Sequence, residues 1–518
     1  MFSTLLKRIE LACTLRTIWL LLPFVLVALG FGLQPLKSWD YWWHLSFGRM
    51  VDATGQMPVA NHFLYTLDAD HPSYVQPWLS QWLLFKGHES LGLAGMLIIR
   101  NLGAALAFGL LGVWAARRSG SAMFGSILAL FGAAFGFFTI SLRSEFLAWP
   151  LFLGLMFLAY EVRHCRAKPW WLLAFPLATA LWANFHGTFI FAPAMAIAFG
   201  IAATLDRTVG SKFSELSVHL NSGPSPFWWF GAAAASILAS ALNPRGFEVY
   251  TYLLASSNPE IRNTVSEWMP TTLTFPDIYG SLFWSGAAAA LVLMVKNNRR
   301  LDWADLGMLA WMVILVAGQS RFLLFWAVTA PIILAPYVAK PSKVVKETPG
   351  LSELTMNAMI IGLMILAAFG AQPWSGQNQL AADLQIAPAR TESPGLGLVH
   401  LDTPLEAIEA LKAEDPATLR LFHDHRYPGF LLFHLLDQTP HQLVFVDNRI
   451  ELPTQEIWRD LDAIGRGEEW ESRLAHWEVN AVVTSTQEHD GLVKAITASA
   501  EWQCPISNEL WVFCRKER

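Results

Sequence analysis

The sequence predicts an α-helical polytopic membrane bundle of about eleven transmembrane helices, N-terminus inside, and a small C-terminal α/β domain on the extracytoplasmic side. Three observations predict it. The chain is 54% hydrophobic and only 15% charged, against about 25% charged in a soluble domain. Apolar stretches of membrane-crossing length follow one another from Thr17 to about Ala371. Beyond Gln372 the pattern changes to short apolar runs alternating with amphipathic ones.

The expected spans are 17–34, 94–116, 121–140, 146–162, 170–185, 188–205, 227–242, 281–295, 303–318, 322–338 and 355–371. The stretch from Phe185 to Thr188 reads either as a full turn-around or as a kink. Lys7, Arg8 and Arg16 precede the first apolar run and no small-residue cleavage site follows it, so the run is expected to be a retained helix. Many of the 24 tryptophans (Trp39, Trp42, Trp43, Trp170, Trp171, Trp228, Trp229) fall where the chain leaves an apolar stretch, as interfacial anchors do.

Orientation comes from Lys and Arg. With the N-terminus inside, Lys7, Arg8, Arg16, Arg117, Arg118, Arg163, Arg166, Lys168, Arg207, Lys212, Lys296, Arg299, Arg300, Lys340, Lys343 and Lys346 lie in inner segments. Lys37, Arg49, Lys86, Arg143, Arg245, Arg262 and Arg321 fall in the outer loops, which are longer in total. That asymmetry is the positive-inside pattern, and it expects a cytoplasmic (inner) membrane protein with its C-terminal domain outside. The net charge of -5 is mild and gives no sign of nucleic-acid binding.

The predicted organisation is a membrane domain over 1–371 with a long first outer loop at 34–93, a linker over 372–400 rich in Pro, Gly, Ala and Gln, and the α/β domain over 401–518. Within the last, Leu419–His423, Gln442–Val446 and Val479–Thr484 read as buried strands. Gly429–Leu436, Gln455–Ile464 and Gly491–Ala500 read as helices between them, which predicts a mainly parallel sheet. Trp502–Pro505 and Leu510–Cys514 read as a terminal hairpin that brings Cys504 and Cys514 together, either as a disulfide or as two free thiols.

The chemistry-bearing residues collect on the outer side. Asp40 and His44 are four apart, so a helix puts them on one face. Such a pair serves as a general base and its partner, or as two ligands of a divalent metal whose set spacing alone does not complete. The plainer reading is a helix-capping Asp and a solvated His. The tryptophans of this loop suit a membrane surface, a sugar or a lipid groove, and Pro77–Phe85 reads as a short interfacial helix. Arg143 and Glu145 share a tight turn, where the arginine either pairs with the glutamate or binds phosphate. Asn184 and His186 end one span, Arg321 sits in another tight turn, and Arg245 and Glu267 lie in an outer segment. Ionisable groups near a bilayer core cost several kcal/mol unless used or paired, so their convergence on one face marks a site. In the outer domain, His423, Asp424 and Arg426 follow one expected strand and Asp447 and Arg449 the next, where an open α/β sheet binds ligands or merely caps its helices.

Those features resemble the GT-C class of integral-membrane glycosyltransferases, which includes protein mannosyltransferases and the aminoarabinose transferase of lipid A. The resemblance covers roughly residues 10–340. It rests on the many spans, the long first outer loop with Asp40 just after the first span, the Trp-His and Gly48-Arg49 helix that follows, and Trp-Ala-Asn-Phe-His-Gly at 182–187. It implies transfer of a sugar from a polyprenyl-phosphate carrier to an extracytoplasmic glycan, lipid or protein. Asp40 would be the general base or acceptor-positioning carboxylate, and Arg143 or Arg321 would hold the carrier phosphate. Many relatives have two adjacent acids in that loop, whereas Tyr41 follows Asp40 here, which weakens the metal or base role. Two other readings stand beside it: a transporter or flippase of a lipid-linked or small polar substrate, which needs broken helices in paired halves, and a non-catalytic envelope assembly protein.

Overall fold

The computed structural model describes residues 12–36, 39–73, 77–209, 215–221, 223–255, 266–273, 278–338, 351–373, 399, 402–436 and 441–517. Most of the expected linker, and the expected inner or outer cations Lys7, Arg8, Lys37, Lys212, Arg262, Lys340, Lys343 and Lys346, lie outside the described residues.

A helix covers each expected span. Among the described residues, seven are long and apolar enough to cross a membrane: Leu15–Gly32, Trp78–Ser119, Ser144–Arg163, Gly187–Thr208, Ile278–Lys296, Ser320–Val338 and Ser352–Gly370. Four more are apolar but shorter: Ala122–Phe137, Pro169–Trp182, Pro226–Ala239 and Trp303–Gly318. At 1.5 Å per residue these fall short of a hydrocarbon core of about 30 Å. The chain is a multi-pass membrane protein.

Local chemistry sets where helices begin. The Ser121 hydroxyl accepts from Phe124 N, and the Asp302 carboxylate accepts from Ala304 N at 2.8 Å. Pro169 and Pro226 occupy first-turn positions, where a missing N–H costs nothing. The Leu323–Val338 helix runs through the centre, buried on nearly every face. Gly132 lies so close to the Ala327 carbonyl that a side chain there has no room, the small-residue contact by which membrane helices approach. By contrast Leu363, Leu366 and Phe369 are 63–67% exposed on the Leu351–Gly370 helix, which suits a lipid-facing element.

Two expectations for the first outer loop are corrected. Pro77–Phe85 is not a separate interfacial helix but the start of Trp78–Ser119, which breaks only at Gly92, whose φ of 64° favours glycine. Two of the loop tryptophans are core rather than surface anchors, and Trp39 and Trp43 line a cleft described below. Trp42 and Trp43 are buried, and Trp42 packs on Phe430, Phe433 and His434 of the C-terminal domain, with ring centroids 4.9–5.6 Å apart. Indole burial against another domain removes more apolar area than an interfacial position does.

The C-terminal sheet has the order β1-β2-β4-β3: β1 Leu421–His423, β2 Ala481–Ser485, β3 Trp502–Ser507 and β4 Trp511–Lys516. Only β1 and β2 are parallel; β4 pairs antiparallel with both β2 and β3. The sheet is therefore mixed rather than mainly parallel, because the terminal hairpin inserts its second strand beside β2. The expected strand Gln442–Val446 reduces to Val444, which bridges in parallel to Leu421 and to Leu64 of the first outer loop. Helices Pro428–Leu435, Gln455–Gly465 and Asp490–Thr497 lie close to their expected positions. Cys504 and Cys514 form a disulfide.

The loop and the C-terminal domain close on each other through backbone. Leu443 N and Val444 N donate to Phe63 O at 2.8 and 3.0 Å, Thr66 Oγ1 donates to Phe445 O at 2.7 Å, and Arg49 donates to Phe433 O at 3.1 Å. The Asn61 side chain holds the loop in shape by bonding Leu64 O and Leu67 O. This seam places the C-terminal domain over one end of the bundle.

Candidate functional site in the cleft between bundle and outer domain

A cleft of ≈ 1510 Å³ lies between that end of the bundle and the C-terminal domain. Asp40, His44, Arg143, Glu145, His186, Glu267, Arg321, Arg426, Asp447 and Arg449 all line it.

Asp40 sits in the first turn of the Trp39–Thr54 helix. Its Oδ2 lies 3.0 Å from Arg143 Nε, and its Oδ1 accepts from Asn448 Nδ2 at 2.7 Å. Burial pushes the Asp40 carboxyl up, but Arg143 foremost, then His44, Asn448 and Arg321, hold it below the usual carboxylate value. It is ionised at neutral pH. Arg143 also reaches Glu267 through both terminal nitrogens, at 3.0 and 3.3 Å. Burial lowers the Arg143 pKa; Asp40 and Glu267 raise it further than burial lowers it.

His44 does not act as Asp40's hydrogen-bonded partner. Its Nε2 accepts from Ser144 N at 3.3 Å, at the start of the Ser144–Arg163 helix, and its Nδ1 lies 3.3 Å from the Gln81 amide. Since Nε2 accepts, Nδ1 carries the proton of the neutral ring and the amide turns its oxygen to it. Burial, with a smaller push from Arg143, lowers the His44 pKa to about 4 against the pull of Asp40. His44 thus pins the helix start that carries Arg143. Both Asp40 oxygens and both His44 nitrogens have protein partners, and among the described residues no cluster of three His, Cys, Asp or Glu is placed to hold a metal.

Arg321 differs from the other cleft arginines. Its guanidinium stacks 5.2 Å from the Trp268 ring centroid and makes no hydrogen bond or ion pair with any described residue. Beside it, Glu145 Oε1 is buried with no hydrogen-bond donor among the described residues. His186 Nδ1 accepts from Thr188 N at 3.2 Å, so the neutral ring carries its proton on Nε2. Its pKa is well below the ordinary value, through burial first and then Arg321.

Four residues that the sequence points to do not line the cleft. Asn184 accepts from Trp78 Nε1 at 2.7 Å and donates to Leu242 O, fastening two elements. Arg245 donates to Ser73 O at 3.1 Å and faces Glu248. His423 is fully buried, its Nε2 accepting from Phe445 N, with a pKa lowered to about 4 mainly by burial. Asp424 is buried under Arg426, which bonds it at 2.6 and 3.0 Å. Among the lining residues, Arg449 grips Asp447 through Nε at 2.9 Å and also reaches Ser73.

Asn448 is the residue that sequence reasoning misses. Asp40 only accepts, so the Asn448 amide must turn its nitrogen toward it. Its Oδ1 is then left buried without a donor among the described residues, beside the cleft. No local pattern marks it, since its partner lies 408 residues away.

No family model matches the chain, and no curated protein matches it. Solved structures with a similar arrangement include two from Archaeoglobus fulgidus. One is its oligosaccharyltransferase in the apo form, with 13% identity over 90% of this chain and 69% of that one, TM-score 0.49. The other is its oligosaccharyltransferase AglB in complex with an inhibitory peptide and a dolichol-phosphate, with 12% identity over 96% of this chain and 74% of that one, TM-score 0.47.

Proposed function

We propose that the chain is a membrane glycosyltransferase that moves a sugar from a polyprenyl-phosphate carrier to a hydroxyl- or amide-bearing acceptor at the extracytoplasmic face of the cytoplasmic membrane. The observation that carries this reading is a division of charge across one cleft. Asp40 is an ionised carboxylate held between Asn448 and Arg143, while Arg321 presents a guanidinium without a carboxylate partner among the described residues. The sequence resemblance supports the same assignment to Asp40.

The chemistry needs both halves. A bond forms between the acceptor heteroatom and the anomeric carbon, and the bond from that carbon to the carrier phosphate oxygen breaks. The leaving electron pair stays on the phosphate, where Arg321 stabilises it. The acceptor proton passes to Asp40. With its lowered pKa Asp40 is a weak base, so it orients the acceptor first and takes the proton late. Asn448 Oδ1 offers a second acceptor beside it for the same group. Arg143 is already balanced by Asp40 and Glu267, which leaves Arg321 as the better phosphate ligand. Ile190, Phe191, Tyr250 and Leu253 give the cleft an apolar wall suited to an isoprenoid chain. The ionisable groups sit at helix ends rather than at mid-membrane, which favours transfer over transport.

The test is a transfer assay with purified protein and a panel of polyprenyl-phosphate sugars. Asp40→Asn is expected to lower turnover about 10²–10⁴-fold. No turnover of any donor by the wild type, together with unaltered surface glycans in cells carrying Asp40→Asn, would sink the reading.

A further inference from the structure

The opposite end of the bundle holds a second cavity, of ≈ 420 Å³. The Ser144–Arg163 helix separates the two: Ser144 lines the cleft, and Glu161 lines this cavity. Seventeen residues at 1.5 Å each place them about 26 Å apart. Four arginines from three chain segments line it: Arg117, Arg118, Arg166 and Arg300.

Each of its carboxylates already has an arginine, although Asp302 Oδ2 accepts no hydrogen bond from the described residues and faces only His164 Nε2, at 3.4 Å. Asp305 receives Arg118 NH2 at 2.8 and 2.9 Å, Tyr160 OH at 2.5 Å and Tyr337 OH at 3.0 Å. Asp302 receives Arg163 Nε at 2.7 Å and Ala304 N at 2.8 Å, and Glu161 receives Arg166 at 2.7 and 2.8 Å. Two observations then point to an anion. Arg117 has no ion pair or hydrogen-bonded partner for its guanidinium among the described residues. The Arg118 side chain is only 8% exposed, and its Nε has no acceptor among the described residues. The cavity also lies at the level where headgroups sit. Trp170 and Trp171, a few residues beyond Arg166, are half exposed and stacked with ring centroids 4.6 Å apart, and tryptophans mark that depth. Trp114, Leu216 and Pro336 line the same cavity and offer an apolar side to a chain.

We propose that this cavity is a phosphate site that takes the headgroup of an anionic lipid at the membrane face opposite the cleft. Basic pockets between membrane helices on the cytoplasmic side bind such headgroups, and each cation contributes about 1 kcal/mol. The site is independent of the transfer chemistry at Asp40.

The experiment is native mass spectrometry of the detergent-solubilised full chain, titrated with phosphatidylglycerol, phosphatidylcholine or inorganic phosphate. Wild type is compared with Arg117→Gln/Arg300→Gln, two exposed changes, and with Lys412→Gln in the outer domain as control. Phosphatidylglycerol is expected to bind in preference to phosphatidylcholine, and the double variant to bind it roughly 10- to 30-fold more weakly, with the control unchanged. Inorganic phosphate that competes fully with phosphatidylglycerol supports the phosphate site and makes a soluble phosphate its source. The proposal is overturned if phosphatidylglycerol binds no better than phosphatidylcholine and phosphate does not bind, or if the double variant matches the wild type.

Discussion

At the Arg163 end of the Ser144–Arg163 helix, Asp206, Asp302 and Asp305 each face a guanidinium nitrogen at 2.7–2.9 Å. At the Arg143 end of the same helix the pairing is incomplete. Arg143 is shared between Asp40 and Glu267, Glu145 Oε1 and Asn448 Oδ1 have no donor, and Arg321 has no carboxylate among the described residues. One helix therefore joins an end where every aspartate has a guanidinium, although Asp302 Oδ2 and both Asp206 oxygens accept no hydrogen bond from the described residues, to an end where Glu145 and Arg321 have no such partner among them. Closed pairs hold helices in register. Open ones cost desolvation that only a ligand recovers. The difference lies in the carboxylates: at the Arg163 end each has its own arginine and the spare charge is a cation, Arg117, whereas at the Arg143 end Glu145 and Arg321 face the cleft without such a pairing among the described residues.

The largest effect is expected at the closed end. Asp305→Ala strands the buried Arg118 guanidinium and two tyrosine hydroxyls, which costs about 3–5 kcal/mol. Thermal unfolding of the detergent-solubilised protein reads it, and a loss below about 1 kcal/mol, the value of a surface pair, would mean that this network does not hold the end together.

At the open end, Arg321→Gln is expected to lower transfer about 10²–10³-fold, as removal of one charge-stabilising group does, with the unfolding midpoint hardly moved. Arg321→Lys should recover part of the rate. If the midpoint falls as far as in Asp305→Ala while residual activity stays near wild type, Arg321 is structural and the contrast between the ends dissolves.

Acid should separate the ends more gently. His44 in the cleft, and His423 and His434 in the C-terminal domain, are held neutral in the fold, with pKa lowered to about 4 chiefly by burial. The unfolded chain takes up protons at these sites near pH 6.5, so it binds more protons than the fold and stability falls as pH drops from about 6.5 toward 4. Asp40, whose pKa is lowered, keeps its contribution until the pH falls below the ordinary carboxylate range. Unfolding midpoints between pH 7.5 and 4.5 check this, and a flat profile over that window contradicts it.

Much of the fold was legible because its signals are local. Apolar length marks helices, Ser121 and Asp302 mark helix starts, and the alternating pattern after Gln372 marks the second domain. The mixed sheet was not legible, because the direction in which the hairpin docks depends on what packs around it. The first loop misled for a related reason. Trp42 and Trp43 have the composition of interfacial anchors, and only the position of the Pro428–Leu435 helix turns them into core.

For the site, the sequence by itself brought several candidate residues to one end of the bundle. Asp40, Arg143, His186 and Arg321 flank helix ends that a 3.6-residue repeat and a fixed bilayer thickness bring to one level, and all four line the cleft. Only the tertiary structure decided their roles. It gave Asp40 an amide from Asn448, 408 residues distant, and Arg143 a carboxylate from Glu267, 124 residues distant. It also turned His44 away from Asp40 to the Ser144 backbone. The physical reason is range. Hydrophobic patterning acts over one turn of helix, whereas the charge state and hydrogen bonding of a buried group depend on which distant segments close over it.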